Sequence, residues 1–255
     1  PGENARTSAG GPGERPGAWA EDWPPDPGER ARDLHRSKGN TAALRHAFCD
    51  CCAAVHMDKG KAFMNESLRE RVQRAVREKV EILAYDPRWP EMFLREKSHL
   101  ISCLPRELVG RIEHFGSTAV PGLTAKPIID MLVEVTCLEE TKRRIVPVLQ
   151  SQGYDYFWRP SSGDDVPPFY AWFIKRDSSG RRTHHIHMVE RHFEHWDGLI
   201  FRDYLILHPE TAEEYRRLKI GLAARHACDR IAYTRGKAGF IAEVLAHAKR
   251  AAAPG

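Results

Sequence analysis

Residues 111–135, RIEHFGSTAVPGLTAKPIIDMLVEV, place a glycine, a hydroxyl, a lysine and two carboxylates in one strand–loop–strand unit. Those residue types, in that order, suit a polyphosphate. Gly116 lets the backbone approach a ligand closely. Ser117 is placed to cap the short turn STAV, whose free N–H groups then face an anion. Lys126 brings a positive charge to the far end of the loop, and Asp130 can hold a divalent metal against the phosphates. Alternation along the second strand puts Asp130, Leu132 and Glu134 on one face and Ile129, Met131, Val133 and Val135 on the other. The all-apolar face is expected to be the core face, which leaves Asp130 and Glu134 on the side of the site. The plainer reading is a pair of solvent-exposed strand acids.

A second constellation lies in THHIHMVE, residues 183–190. His185 and His187 share one strand face, and His184 and Ile186 share the other. Two imidazoles at i and i+2 beside a carboxylate strand suit metal ligation, phosphate contact or proton transfer. The competing account is two histidines that only hydrogen-bond their neighbours. His114 precedes the glycine loop and is placed either to orient it or to pack against a helix. Lys237, in YTRGKAGF, can reach a phosphate or stand as a solvated helix lysine. Arg181 and Arg182 read first as hairpin charges.

These residues need a scaffold, and periodicity supplies one. A helix is expected from a cap at Asn65 or Ser67 to about residue 79. A strand follows at 80–85 and a helix at 87–104. Further strands are expected at 109–115, 128–135, 154–158, 169–176 and 183–190, with a helix at 138–152 ended by Gly153 and a hairpin at RDSSGRR. Helices at 194–207, 209–226 and 233–249 close the chain, with Phe201, Tyr204, Leu205 and Ile206 as core. The class is therefore α+β, with a mixed, mostly antiparallel sheet, flanking helices and a C-terminal helical segment.

Composition narrows the class further. The chain has 255 residues, 42% hydrophobic, with a formal net charge of +4 and a mean hydropathy of −0.53. No apolar run approaches the ~20 residues that span a bilayer, and no secretory h-region is visible. A cytoplasmic protein with no membrane partner is expected. Residues 1–63 balance to zero charge, so the excess lies in the remainder. It is mild enough to suit an anionic small molecule rather than a nucleic acid. Residues 1–40 are rich in Pro, Gly and charge with no periodic apolar face, which predicts disorder. Residues 1–63 read as an extension ahead of a folded unit at 64–255, for which Met64 would serve as a start. Cys103, Cys137 and Cys228 read as reduced thiols. Cys49, Cys51 and Cys52 ahead of His56 raise a zinc reading, but their spacing matches no standard finger.

HFGSTAVPGLTAKPIID resembles the signature of the GrpB family, and YDPRWPEMF resembles its opening segment. RTHHIHMVE, FRDYLILHP and YTRGKAGFIAEVL follow in that family's order, so the resemblance spans about residues 80–249. It implies a core of the nucleotidyltransferase (polymerase-β-like) type, in which a Gly-Ser loop precedes metal-binding acids. The expected cofactor is Mg²⁺ or Mn²⁺, and the expected partner is a nucleotide or another phosphorylated small molecule. On that pattern Asp130, His185 and His187 are the catalytic candidates, and Asp130, Glu134 and His187 the metal ligands. Gly116, Ser117, Lys126, His114 and Lys237 are the substrate contacts. Some members are fused to dephospho-CoA kinase, whose G-x-x-x-x-G-K-[ST] motif does not occur here. One departure is plain: the superfamily has a second acid two residues after the first, and Leu132 stands there. The residues fit a metal-dependent nucleotidyltransferase with an unknown small-molecule acceptor, a non-catalytic nucleotide- or CoA-binding module, or a phosphometabolite hydrolase.

Deleting residues 1–63 is expected to leave the melting temperature within a few degrees of the full chain in calorimetry. A larger fall, equivalent to ~1 kcal/mol or more, would place that segment in the fold.

Overall fold

The computed structural model describes residues 67–161 and 167–252. The proposals for residues 1–63, the Cys49–Cys51–Cys52 cluster included, lie outside the described residues. The first helix, α1 (Leu68–Arg77), starts with a capping box: the Ser67 hydroxyl accepts from the Glu70 N–H, and the Glu70 carboxylate accepts from the Ser67 N–H. An extended segment leads to α2 (Trp89–Cys103) and then to β1 (Val109–Phe115). A single 3₁₀ turn (Ser117–Ala119) and a loop join β1 to β2 (Ile129–Val135).

After β2, α3 (Leu138–Glu140) passes through a π-turn (Thr141–Ile145) into α4 (Val146–Ser151). Strands β3 (Asp155–Pro160), β4 (Phe169–Arg176) and β5 (Arg182–Val189) follow. The C-terminal part is helical: a 3₁₀ turn (Glu194–Trp196), α5 (Asp197–Leu207), α6 (Pro209–Arg225), α7 (Arg230–Arg235) and α8 (Ala238–Ala252). Among the described residues no helix is long and apolar enough to cross a membrane.

The five strands form one sheet in the order β1-β2-β5-β4-β3. β2 and β5 run parallel and every other pair is antiparallel, so the sheet is mixed and mostly antiparallel as its sequence implied. One face is the main core. Ile129, Met131, Val133, Phe173, Ile186 and Met188 pack there against Trp89 and Leu100 of α2 and Leu149 of α4.

The opposite face departs from the expectation that it is open to the site along its length. Leu132 has 0% exposure and packs with Phe157, Tyr170, Trp172, Ile174 and Val189 in a second apolar layer. Thus position 132 is closed to an acid by packing, and the polar site is confined to one end of this face. Two other expectations need correction. The strand expected at 80–85 shrinks to one bridge between Leu83 and Ala125, because Pro127 follows its partner and has no N–H with which to extend the ladder. The helix expected at 233–249 breaks at Gly236 and Lys237. A Cβ on Gly236 would lie 2.3 Å from a Leu222 methyl, so any side chain there would have to displace Leu222 where α7 meets α6.

Leu132→Asp puts a second acid two residues after Asp130. It is expected to destabilise the domain by at least the ~2–5 kcal/mol of a core Leu→Ala change, because the new carboxylate is buried among apolar groups. Urea unfolding measures this, and a loss below ~1 kcal/mol would mean that the second layer is not a packed core.

Candidate functional site

The parallel register of β2 and β5 sets Asp130 opposite His185 and Leu132 opposite His187. Because side chains alternate, Asp130, His185 and His187 emerge on the same face, and their ligand atoms all lie within 4.8 Å of one another. His185 Nδ1 is 2.9 Å from Asp130 Oδ1. Arg182 Nη1 lies 3.4 Å from the other ring nitrogen, Nε2. A guanidinium only donates, so Nε2 accepts and Nδ1–H donates to the carboxylate. His187 stacks on Tyr170, with centroids 5.6 Å apart, and meets the edge of Phe115 at 5.3 Å. Its Nδ1 is buried with no hydrogen-bond partner. The three residues expected to act together are therefore together, across 57 positions of sequence.

Gly116 has a reason to be glycine. Its φ is +73°, and a Cβ would lie 2.6 Å from Asp130 Oδ2, so the loop presses its backbone against the carboxylate. Ser117 behaves differently from expectation. It provides no side-chain cap; Gly116 occupies the cap position, and the Ser117 hydroxyl instead pairs with Tyr215 of α6. His114 faces the opposite side of the sheet from Asp130. There it stacks on Phe93 of α2 at 4.9 Å and bonds Thr118 Oγ1 at 2.9 Å, while Thr118 donates to the Ile128 carbonyl. It both packs on a helix and braces the loop, and it does not line the cavity. Burial lowers its pKa to about 4, so it is a neutral brace. Glu134 is also placed away from the triad: its carboxylate pairs with Arg111 at 3.2 Å near Gly110, so the structure gives no support to it as a ligand beside Asp130.

The triad sits in a cavity of about 550 Å³. Lys126, Arg159, Arg182, Arg230 and Lys237 all line it, and Asp130 is the one carboxylate lining it among the described residues. Lys126 and Lys237 approach the Tyr233 ring, with Nζ 5.4 Å and 4.8 Å from its centroid. Neither forms an ion pair among the described residues. Burial, then neighbouring cations with Arg230 foremost, hold the Lys126 pKa well below the usual lysine range. Burial lowers that of Lys237 to about 8, partly offset by attraction to Asp130. Burial also keeps His185 and His187 neutral, helped by Arg182 for the first and His195 for the second.

Several of these residues carry no local sequence signal. Arg182 is no hairpin charge: it is buried, pairs with Glu78 at 2.6 Å and donates to the Ala75 carbonyl, whereas Arg181 does stay on the hairpin with Asp177. Arg159, Arg230 and His195 come from β3, α7 and the turn before α5, and only the fold shows that they converge. The apolar wall comes from Val72, Ala75 and Val76 of α1, Ile231 of α7, and Trp172. Behind the loop, Lys219 of α6 is 1% exposed and donates to the Thr124 carbonyl, with its pKa lowered by burial to about 7.

The GrpB protein family matches residues 79–247. This chain belongs to the GrpB family. A UPF0157 protein of Pseudomonas aeruginosa is 37% identical over 191 residues, which cover 70% of this chain and 72% of that one. YqkA, a UPF0157 protein of Bacillus subtilis, is 37% identical over 179 residues, but the chain spans only 48% of its length. The glutamate-rich protein GrpB of Alkalihalophilus pseudofirmus is 36% identical over 166 residues, 64% of this chain and 92% of its own. The crystal structure of GrpB from Enterococcus faecalis superposes with a TM-score of 0.58 at 32% identity, covering 67% of this chain and 98% of that one. The GrpB segment holds every strand and all five cavity cations. The apolar wall from α1 precedes it.

Gly116→Ala is expected to cost ~1–3 kcal/mol from a backbone (φ +73°, ψ −171°) that is essentially reserved for glycine, and to push Asp130 off His185. Imidazole ¹⁵N spectra should show the His185 Nδ1–H losing its carboxylate partner while the fold persists. An unchanged His185 signal would mean that the loop does not press on Asp130.

Proposed function

We propose that the cavity binds a nucleoside triphosphate or a related phosphorylated small molecule, and that the domain is a metal-dependent nucleotidyltransferase of the polymerase-β-like type. The observation that carries this reading is the set of five cations around one carboxylate and two neutral imidazoles. Lys126, Lys237 and Arg230 would face the phosphates, while Gly116, which is not among the residues lining the cavity, would act by letting the loop close on Asp130. Ser117 would act through the loop's shape, since its hydroxyl is engaged with Tyr215. Asp130 with His185 and His187 would hold a divalent ion, Mg²⁺ or Mn²⁺, which supplies further charge neutralisation at the phosphates.

In the reaction an acceptor oxygen bonds to the α-phosphorus as the bond to the bridging oxygen breaks and pyrophosphate leaves. The acceptor's proton passes to a neutral imidazole lining the cavity. His195 is placed for that task by lining the cavity outside the metal-ligand set; its pKa, lowered by burial and Arg159 to about 3 in the empty cavity, would have to rise toward neutrality beside the bound phosphates. Positioning and charge neutralisation do most of the work in such a displacement. The cytoplasm is the compartment that fits, being rich in nucleotides and reducing enough for the free thiols Cys103, Cys137 and Cys228.

A second reading, a nucleotide- or CoA-binding module without catalysis, is favoured by one observation: the β2 strand brings a single acid to the cavity, with Leu132 in the core. Incubating the protein with each nucleoside triphosphate, Mg²⁺ or Mn²⁺ and a metabolite extract, followed by mass spectrometry, separates the two. Nucleotidylated product that vanishes in Asp130→Asn supports the enzyme. Binding without product supports the module, and free phosphate release without transfer points to a hydrolase.

Anion affinity should depend on pH in a defined direction. Lys237 titrates near pH 8 in the free protein, and a bound phosphate favours its charged form. Affinity should therefore be full below about pH 8 and decline as pH rises through the free and then the bound pKa. Calorimetry in two buffers of different ionisation enthalpy should show proton uptake on binding at pH 8, reduced in Lys237→Met. The absence of uptake in the wild type would remove the lysine from the site.

A further inference from the structure

We propose that Asp130, His185 and His187 form a first-row transition-metal site, selective against Mg²⁺, that fills only together with a polyphosphate. This rests on the anion-binding reading above and adds the metal's identity and its coupling to the ligand. The donor set is two imidazole nitrogens and one carboxylate oxygen, all within 4.8 Å. Mg²⁺ takes oxygen ligands and keeps its waters, whereas imidazole suits Mn²⁺, Fe²⁺ and Zn²⁺. The 2.9 Å between His185 Nδ1 and Asp130 Oδ1 is also the spacing of two neighbouring ligands at right angles on one ion, given bonds of ~2.0–2.1 Å; the ion would replace the proton that Nδ1 donates, which moves to Nε2 at the expense of the Arg182 contact. The buried Nδ1 of His187 has no partner, so the third ring brings an unsatisfied nitrogen to the same place. The group offers one carboxylate oxygen against two imidazole nitrogens, since Glu134 is held by Arg111, and that balance of donors disfavours Mg²⁺.

The surroundings then set the order of events. A dication entering alone meets Lys126, Arg159 and Lys237, with Arg182 and Arg230 offset only in part by the single acid Glu78, against the charge of Asp130. Arg182 lies 3.4 Å from the His185 ring, so its repulsion is not screened by bulk solvent. A triphosphate reverses this balance by neutralising the lysines and arginines and by offering its own oxygens to the ion. Metal affinity must rise when the anion is present, and by linkage the anion must bind more tightly when the metal is present.

The test uses the full chain with Mn²⁺, which has little affinity for the thiols of the N-terminal segment, and with inorganic triphosphate as the anion. Free Mn²⁺ is read by electron paramagnetic resonance, and Mg²⁺ is scored by its ability to displace Mn²⁺. One Mn²⁺ per chain should bind at least tenfold more tightly with protein-bound triphosphate than without it. Tenfold or more excess Mg²⁺ should be needed to displace it, and His187→Ala should abolish that preference. Asp130→Asn serves as a second variant, and melting curves for both confirm that the fold is kept. Equal Mn²⁺ affinity with and without triphosphate would overturn the coupling. Displacement by equimolar Mg²⁺, or indifference to both variants, would overturn the site. If triphosphate binds normally while these metal results fail, only this proposal falls. If triphosphate does not bind at all, with or without metal, the anion-binding reading falls and takes this proposal with it.

Discussion

Strands β2 and β5 are the two central neighbours that run parallel, with Asp130 opposite His185, and the cavity depends on that pairing. A slip of one residue would send either Asp130 into the layer that holds Met131 and Phe173 or the imidazoles toward Trp89 and α2, parting the two. Such a slip is prevented by both faces at once. Ile129, Met131 and Val133 fill the main core, and Leu132 fills the second layer, so no register but this one buries all four. The same packing excludes a second acid from position 132. The polar end of the sheet face is thus defined by where the apolar part stops.

Placing cations beside that end carries a desolvation cost, and the fold offsets it with one acid behind the cavity. Glu78 receives Arg176 at 2.6 Å, Arg182 at 2.6 Å and Arg230 at 3.8 Å. Asp155 takes a second bond from Arg176 at 2.9 Å and ties Arg74 of α1 at 3.0 Å. Removing one partner from a network of this kind leaves buried charge uncompensated. Glu78 therefore ties α1, β4, β5 and α7 together behind the cavity through charge. Lys126 and Lys237 have no comparable acid among the described residues, and burial depresses both. A cavity whose cations are held partly unfavourable when empty is one that an anion stabilises.

The loop from Gly116 to Lys126 is held rigid from three sides. His114 and Thr118 fix its start, the Ser117–Tyr215 pair fixes its turn, and the buried Lys219 binds the Thr124 carbonyl near its end. Two of these braces come from α6, far along the chain. The closing helices therefore do more than cover the sheet, since they set the position of the loop that carries Lys126 to the cavity.

Much of this was legible in the residues alone. Period-two alternation gave β1, β2, β4 and β5 to within a residue or two, and it correctly paired Asp130 with the His185–His187 face, because side-chain direction in a strand is a local property. Glycine at position 116 signalled a close approach, and the approach is to Asp130 itself. The GrpB resemblance at 80–249 agrees with the matched segment 79–247. Other features depend on partners distant in sequence. Alternation says that two residues share a face, but not whether that face is solvent or a second core, so Leu132 and Glu134 were misplaced. Charge says nothing of its neighbours, so Arg182 read as a hairpin residue, and Arg159, Arg230 and His195 gave no signal. A charged or imidazole side chain joins a site only through the contacts that desolvate it, and those are made by elements distant in sequence, as Arg182 is from Ala75 and Arg230 from Glu78. The sequence by itself determined the strand faces and the loop; tertiary packing alone decided which charges meet across them.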